Sequence, residues 1–426
     1  MVTLYHHRTL TTLNKQGDIL DANKIVITGL GVVSPLGLTV DEHWDGLANG
    51  RNGVGPITSL DVGKCPVYVA GEVKNFEPLD FMEIKRVDRA GKSAQYAIAA
   101  TRMALESAGI DMSKMNEQRV GTVISTSGMT YLAIDVADKI RSNPRRLNPL
   151  LINKMGPSMV AAQVGLVMGA KGLNTTLNSA CASGSDALGT ALSHLRLGHA
   201  DVIIAGGAES NVNILAIATC GAVGALSREQ DPAKASRPFD LNRNGFVFGD
   251  GAGILILETY EHAAGRGAPI LAELAGAGWS FDAYNEAAPD ANQQAVAMGN
   301  AITDAGLKTV DIDHINAHGT ATKLNDLAET QATKIVFGAD AHKVPMSSNK
   351  SMIGHLACAA GAVEAVAMVK TIETGIIPPT INYETPDPEC DLDYVPNVAR
   401  KQKVDVVLSN SFGMGGQNTC VVIRRA

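Results

Sequence analysis

A chain of 426 residues with 45% hydrophobic content can fill roughly two or three domain-sized units, or one large composite domain. Its net charge of −7 leaves no basic excess for gripping phosphate backbones, so nucleic acid is set aside as a partner. No apolar run reaches the length of about 18 residues that a membrane span needs, and the 6 cysteines include no CxxC pair. The expectation is a protein of a reducing cytoplasm, with no membrane partner.

Residues 1–23 are Thr-rich, carry His6, His7, Arg8 and Lys15, and have no acid before Asp18. They read as an N-terminal extension or an early start, with a transit peptide as the alternative. KIVITGLGVVSPLG (24–37) predicts a buried strand and a Gly/Pro turn. A helix over 90–110 ends at Gly109, and 119–126 is a strand. A helix over 182–198 stops at Gly198, 201–210 is a buried strand, and 251–263 runs from strand towards helix. Near residue 275 the alternation restarts. Residues 292–306 read as helix, 314–322 as strand and loop, and 326–338 as helix. Residues 361–375 read as a helix with Pro378 and Pro379 beyond it, and 404–423 as strand, Gly-rich loop and strand. Strands alternating with helices predict an α/β fold with strands buried on both faces. The helix over 359–369 is apolar over much of its surface, which suggests a helix sandwiched between sheets. We expect two α/β halves, 24–275 and 276–426, although no repeat is visible in the letters.

NSACASGSDALG (178–189) places Cys181 where a loop becomes a helix. Free backbone N–H groups and a partial positive charge at a helix start favour thiolate. A cysteine in an Ala/Gly-rich turn can equally be a packing residue. NAHGTAT (316–322) carries His318, and SSNKSMIGHLACAAGAVEA (347–365) carries Lys350 and His355. Two histidines in Gly-flanked loops and a candidate Cys shift the balance towards chemistry. The loop SNSFGMGGQNT (409–419) could present backbone N–H groups to an oxyanion, or be a tight turn. GFVFGDGAGILILE (245–258) is a poor dinucleotide loop because its glycines lead into a strand. No zinc-ligand spacing is present. Two basic groups stand out: Lys85, Arg86, Arg89 and Lys92, then Arg141, Arg145 and Arg146. Such groups are solvated faces or docking spots for an acidic partner.

From about residue 24 to the end, the chain resembles the β-ketoacyl-acyl-carrier-protein synthases, most closely the synthase II type. The resemblance lies in TGLGVVSPLG, AGGAES, SRPFDLNRNGFVFGDGAG, NAHGT, KSMIGH and NSFGMGG, and in the order Cys, His, Lys, His. It implies a thiolase-like, five-layered αβαβα body of two similar halves, usually a homodimer. It also implies an acyltransferase. An acyl chain would move from acyl carrier protein to Cys181, and malonyl-carrier protein would then lose carbon dioxide and attack the thioester. By resemblance, His318 and His355 stabilise the enolate, and Lys350 orders the site with Glu364 and Asp326. The N–H groups of Cys181 and Met414 form the oxyanion hole, and Thr320 and Thr322 hold the pantetheine arm. Met129, Cys220, Phe412 and Met414 would line the acyl pocket, and Lys85, Arg86, Arg89, Arg145 and Arg146 would dock the carrier. No metal or organic cofactor is implied.

The chain departs from the family pattern in places. Met414 stands where the family commonly has a second Phe. Cys220 and Gly224 stand where Phe and Arg are usual. DAYNEAAP (282–289) departs from a His- and Thr-containing version, and Asn325 replaces a usual Gly. These changes leave chain-length preference open. They keep an alternative in view: a ketosynthase of a type II polyketide or polyene pathway, possibly paired with a related chain-length subunit. A non-catalytic partner would lack the Cys. A degradative thiolase would need a second Cys followed by glycines, whereas Cys420 is followed by Val421 and Val422. A papain-like hydrolase would not share the paired His and Lys motif.

Overall fold

The computed structural model describes residues 24–63, 65–128 and 132–426, with the backbone of two short paired strands, Thr11–Leu13 and Ile19–Asp21. The extension expected over 1–23 otherwise lies outside the described residues, as does Met129 of the expected acyl pocket.

One ten-stranded sheet runs through the chain. Across it lie Met346–Ser347, His314–Asn316, Val406–Phe412, Gln417–Arg424, Ala272–Phe281, Ile25–Val33, Gly251–Thr259, Val202–Glu209, Val120–Ser125 and Asn174–Leu177. The two five-stranded sets repeat one another. Outward from the central pair, each runs first, fifth, fourth, second, third in its own chain order. The pairings are antiparallel, antiparallel, parallel, parallel in both. The sets join where Ala272 faces Ile27 and Glu273 faces Val26, so residue 275 falls inside a strand.

Helices Lys92–Ser107 and Met159–Met168 cover the outer face of the first set. Ala291–Asp304 covers that of the second, with Lys323–Phe337 packed beside it. Between the sets lie helices Ser183–Arg196 and Ala360–Thr374, each touching strands of both. This is the five-layered αβαβα order implied by the resemblance. Every residue from Ala360 to Val369 is buried, because a helix walled in on all sides has no solvent face to make polar. Val363, Val366, Val369 and Ile372 each contribute about 1.5–3 kcal/mol by leaving water. The layers are close because small residues let backbones meet. A Cβ on Gly184 would lie 2.7 Å from the Ala362 nitrogen, and one on Gly31 would lie 1.9 Å from the Ala100 oxygen.

Candidate active site

Strand Asn174–Leu177 ends in a turn that feeds the first central helix, Ser183–Arg196. Ala180 sits there at φ +50°, a left-handed conformation that costs an alanine about 1–3 kcal/mol and persists only where its surroundings hold it. They do. The Asn178 Oδ1 accepts from the Ala180 N–H at 3.1 Å, and the Asn178 Nδ2 donates to the Ser127 oxygen at 3.2 Å. The Ser179 N–H donates to the Ser183 hydroxyl at 2.8 Å, which donates to the Ala180 oxygen at 2.5 Å. The turn sets Cys181 on a cavity of about 670 Å³, shared with His318, His355, Thr320, Thr322, Phe412 and Met414.

Burial pushes the Cys181 thiol up to about 11. The N–H groups of Met414 and Cys181 and the charge of Lys350 all favour thiolate but do not overcome it. The expectation that a helix start supplies a resting thiolate is therefore not met. The helix begins two residues later, and a helix end supplies only about 0.3–1 kcal/mol, less than the cost of desolvation.

His318 and His355 meet edge to face, with ring centres 5.3 Å apart at 83°. Burial holds both well below the usual imidazole range, and the Lys350 charge holds them lower still. Both rings are neutral at pH 7. The Ala357 N–H donates to His355 Nδ1 at 3.2 Å, which leaves the ring proton on Nε2. That Nε2 is buried with no protein partner, a donor in reserve. Phe246 packs edge to face with His355, and Phe412 with His318.

Lys350 is 1% exposed and pairs with Glu364, also 1% exposed. Asp326 does not join that pair. Its carboxylate accepts from the Phe239 N–H at 2.8 Å and the Thr320 N–H at 3.1 Å, with the Arg243 guanidinium 3.7 Å away. Beside it stands Glu329, which the sequence reading misses. Glu329 accepts from the N–H groups of His318 and Gly319, both at 2.8 Å, and from Asn410 Nδ2 at 3.1 Å. Burial pushes its carboxyl up to about 7. Asp326 and Glu329 lie one helical turn apart and together clamp the 318–320 loop. Two acids at that spacing next to apolar positions were the available signal.

Thr320 and Thr322 line the cavity with hydroxyls 3.0 Å apart. Cys220 is not among the residues that line this cavity, although it lies close enough to Cys181 to disfavour thiolate there. Helix Ile214–Ala222 turns this residue into a small apolar cluster with Val67, Ile217, Leu226 and Phe248. Val223, Gly224 and Ala225, which follow the helix, form the wall instead. None of the five expected docking residues lines the cavity. Lys85, Arg89, Arg145 and Arg146 are exposed, while Arg86 is half-buried and donates to Gln163 Oε1 at 2.7 Å. Among the described residues, no cluster of three or more His, Cys, Asp or Glu is placed to hold a metal ion.

Residues 22–263 match the sequence model of the β-ketoacyl synthase N-terminal domain, and residues 271–384 that of its C-terminal domain. The chain belongs to the β-ketoacyl synthase family. The 3-oxoacyl-[acyl-carrier-protein] synthase 2 of Synechocystis sp. is 41% identical over 411 residues, covering 95% of this chain and 99% of the relative. The resemblance to the synthase II type is thereby borne out. Among solved structures, the ishigamide ketosynthase/chain length factor superposes with a TM-score of 0.89 at 36% identity, covering 95% of this chain and 99% of that one. A type II polyketide synthase acyl-carrier protein in complex with its hexaketide-bound ketosynthase gives a TM-score of 0.87 at 36% identity, with the same coverage.

Proposed function

We propose that this chain is a β-ketoacyl-acyl-carrier-protein synthase of fatty acid biosynthesis. It loads an acyl chain on Cys181 and extends it by decarboxylative Claisen condensation with malonyl-carrier protein. One observation carries this reading: a thiol, two neutral imidazoles and two backbone N–H donors meet at one cavity.

In the first half-reaction the Cys181 sulfur attacks the acyl thioester, and its proton ends on the departing pantetheine sulfur. The N–H groups of Cys181 and Met414 stabilise the oxyanion. A thiol that rests protonated suits this exchange, because the leaving thiol needs the proton. In the second, the bond to the malonyl carboxylate breaks and its electrons pass to the thioester oxygen. His355 Nε2–H and His318 donate to that enolate, and neutral rings do so without giving up a proton. The enolate carbon then attacks acyl-Cys181 and expels the thiolate. Lys350 with Glu364, Asp326 and Glu329 position these groups, and Thr320 and Thr322 hold the pantetheine arm. These steps call for no metal or organic cofactor.

Acyl carrier protein is the proposed partner, supported by the neighbour solved with its own carrier. A homodimer is supported by the edge strand Asn174–Leu177, which ends the sheet with none of its residues fully buried. Free cysteines fit a reducing cytoplasm. Incubation with acyl- and malonyl-carrier proteins tests the reading. A 3-oxoacyl-carrier product with release of carbon dioxide supports it, and transfer without chain extension refutes it.

A further inference from the structure

The nucleophile turn is tied to the other half of the molecule through a side chain that the chemistry above does not use. Asp186 lies in the first turn of the helix after Cys181, half-buried. One carboxylate oxygen accepts from the Ser179 hydroxyl at 3.0 Å, two residues before the nucleophile. The other accepts from the indole N–H of Trp279 at 2.9 Å. Trp279 belongs to strand Ala272–Phe281 of the second half, and its ring packs against the same helix one turn further on. A Cβ on Gly189 would lie 2.6 Å from the ring, so only glycine admits it.

The strand then runs into the loop that holds Met414. The Asp282 N–H donates to the Gly416 oxygen at 2.9 Å, the Gly415 N–H to the Glu286 oxygen at 2.9 Å, and Asn418 Nδ2 to Asp282 Oδ1 at 2.6 Å. One carboxylate thus connects the segment carrying Cys181 to the strand whose continuation fixes Met414. These are the two segments whose N–H groups face the thiol.

Resting on the acyl-transfer reading above, we infer that Asp186 is a positioning residue for Cys181 loading. Bridging Ser179 and Trp279, it holds the strained Ala180–Cys181 turn in register with the Met414 loop. Among the described residues the Ser179 hydroxyl has no other side-chain acceptor, so loss of Asp186 lets the turn relax and the two oxyanion donors diverge. Displacements of about 1 Å at such a site cost up to about a hundredfold in rate. His318 and His355 are held by other residues, so decarboxylation is spared.

The test compares wild type with Asp186→Ala, Asp186→Asn and Trp279→Phe, using acyl-carrier protein for loading and malonyl-carrier protein for decarboxylation. Asp186→Ala is expected to slow first-order acylation of Cys181 by about ten- to a hundredfold, with KM for the carrier and the decarboxylation rate nearly unchanged. Asp186→Asn keeps an acceptor for the indole and offers an amide donor to the Ser179 oxygen, so it is expected to restore most of the rate. Trp279→Phe keeps the ring and loses the donor. Its loss is expected to be smaller and not to add to that of Asp186→Ala. The inference is overturned if Asp186→Ala loads at the wild-type rate, if both half-reactions fall together, or if Asp186→Asn is as slow as Asp186→Ala. Should Asp186→Ala not fold, Trp279→Phe decides: slower loading with decarboxylation unchanged supports the inference, and loading at the wild-type rate overturns it. Wild type that fails to load would instead refute the acyl-transfer reading.

Discussion

Replacing Lys350 by Met keeps the bulk of the side chain and removes a buried charge. Lys350 and Glu364 are each 1% exposed, and without the ammonium the carboxylate keeps only Asn316 Nδ2, at 3.3 Å. Stranding one member of a buried pair costs about 3–5 kcal/mol. Urea unfolding should show that loss for Lys350→Met, and the double variant Lys350→Met with Glu364→Gln should regain most of it. The same change has a catalytic sign. The Lys350 charge is one cause of the lowered His318 and His355 values, so its removal lets both rise towards the ordinary imidazole range. Decarboxylation that needs neutral rings should then lose activity at higher pH than in wild type, seen as an upward shift of the acid limb. A stability loss under about 1 kcal/mol, or a double variant no better than the single, would refute the buried-pair argument.

The buried imidazoles should weaken the fold as pH falls below about 6.5. His43 and His314 are lowered to about 3, and His318 and His355 well below 6.5, so the stability they lend is present above pH 6.5 and lost as pH falls. Glu209, raised to about 6, and Glu329, raised to about 7, act oppositely, as do Asp250, Asp326 and Glu364, which burial also raises, since the folded state holds their protons to higher pH. A His314→Gln variant, which removes one of these imidazoles, should lose stability less steeply than wild type between pH 6 and 5, measurable by urea midpoints; identical slopes would contradict the imidazole contribution. His318→Ala should lower malonyl decarboxylation by at least about a hundredfold while acyl transfer falls far less, and equal losses would contradict the division of labour. Arg145→Glu with Arg146→Glu should raise KM for the carrier several-fold and leave the acyl-enzyme intact. Both arginines are exposed on the short Pro144–Arg146 turn, and an unchanged KM would remove that patch from docking.

Long elements with strong periodicity were legible in the sequence. The buried strand Ile25–Val33 and the largely apolar helix Ala360–Thr374 stand within a residue or two of where the pattern places them. Strand Ala272–Phe281 was not legible. AELAGAGWSF is rich in Ala and Gly, poor strand formers, and its conformation is imposed by pairing along Gln417–Arg424. The internal repeat escaped for a related reason: it lies in strand order, with no trace in the letters. At the site, Cys181, His318, Lys350 and His355 carried their own motifs. Glu329 and Asp186 did not, because each acts through backbone N–H groups or a distant indole that only the folded chain brings within reach. The thiol was misread because its helix context is local in sequence, whereas the burial that opposes it is assembled from both halves.

The most direct measurement is the intact mass of the protein after mixing with acyl-carrier protein. Wild type should gain the mass of one acyl group and Cys181→Ala none. Wild type that gains nothing, or a Cys181→Ala variant that still gains it, would contradict Cys181 as the acyl-carrying nucleophile.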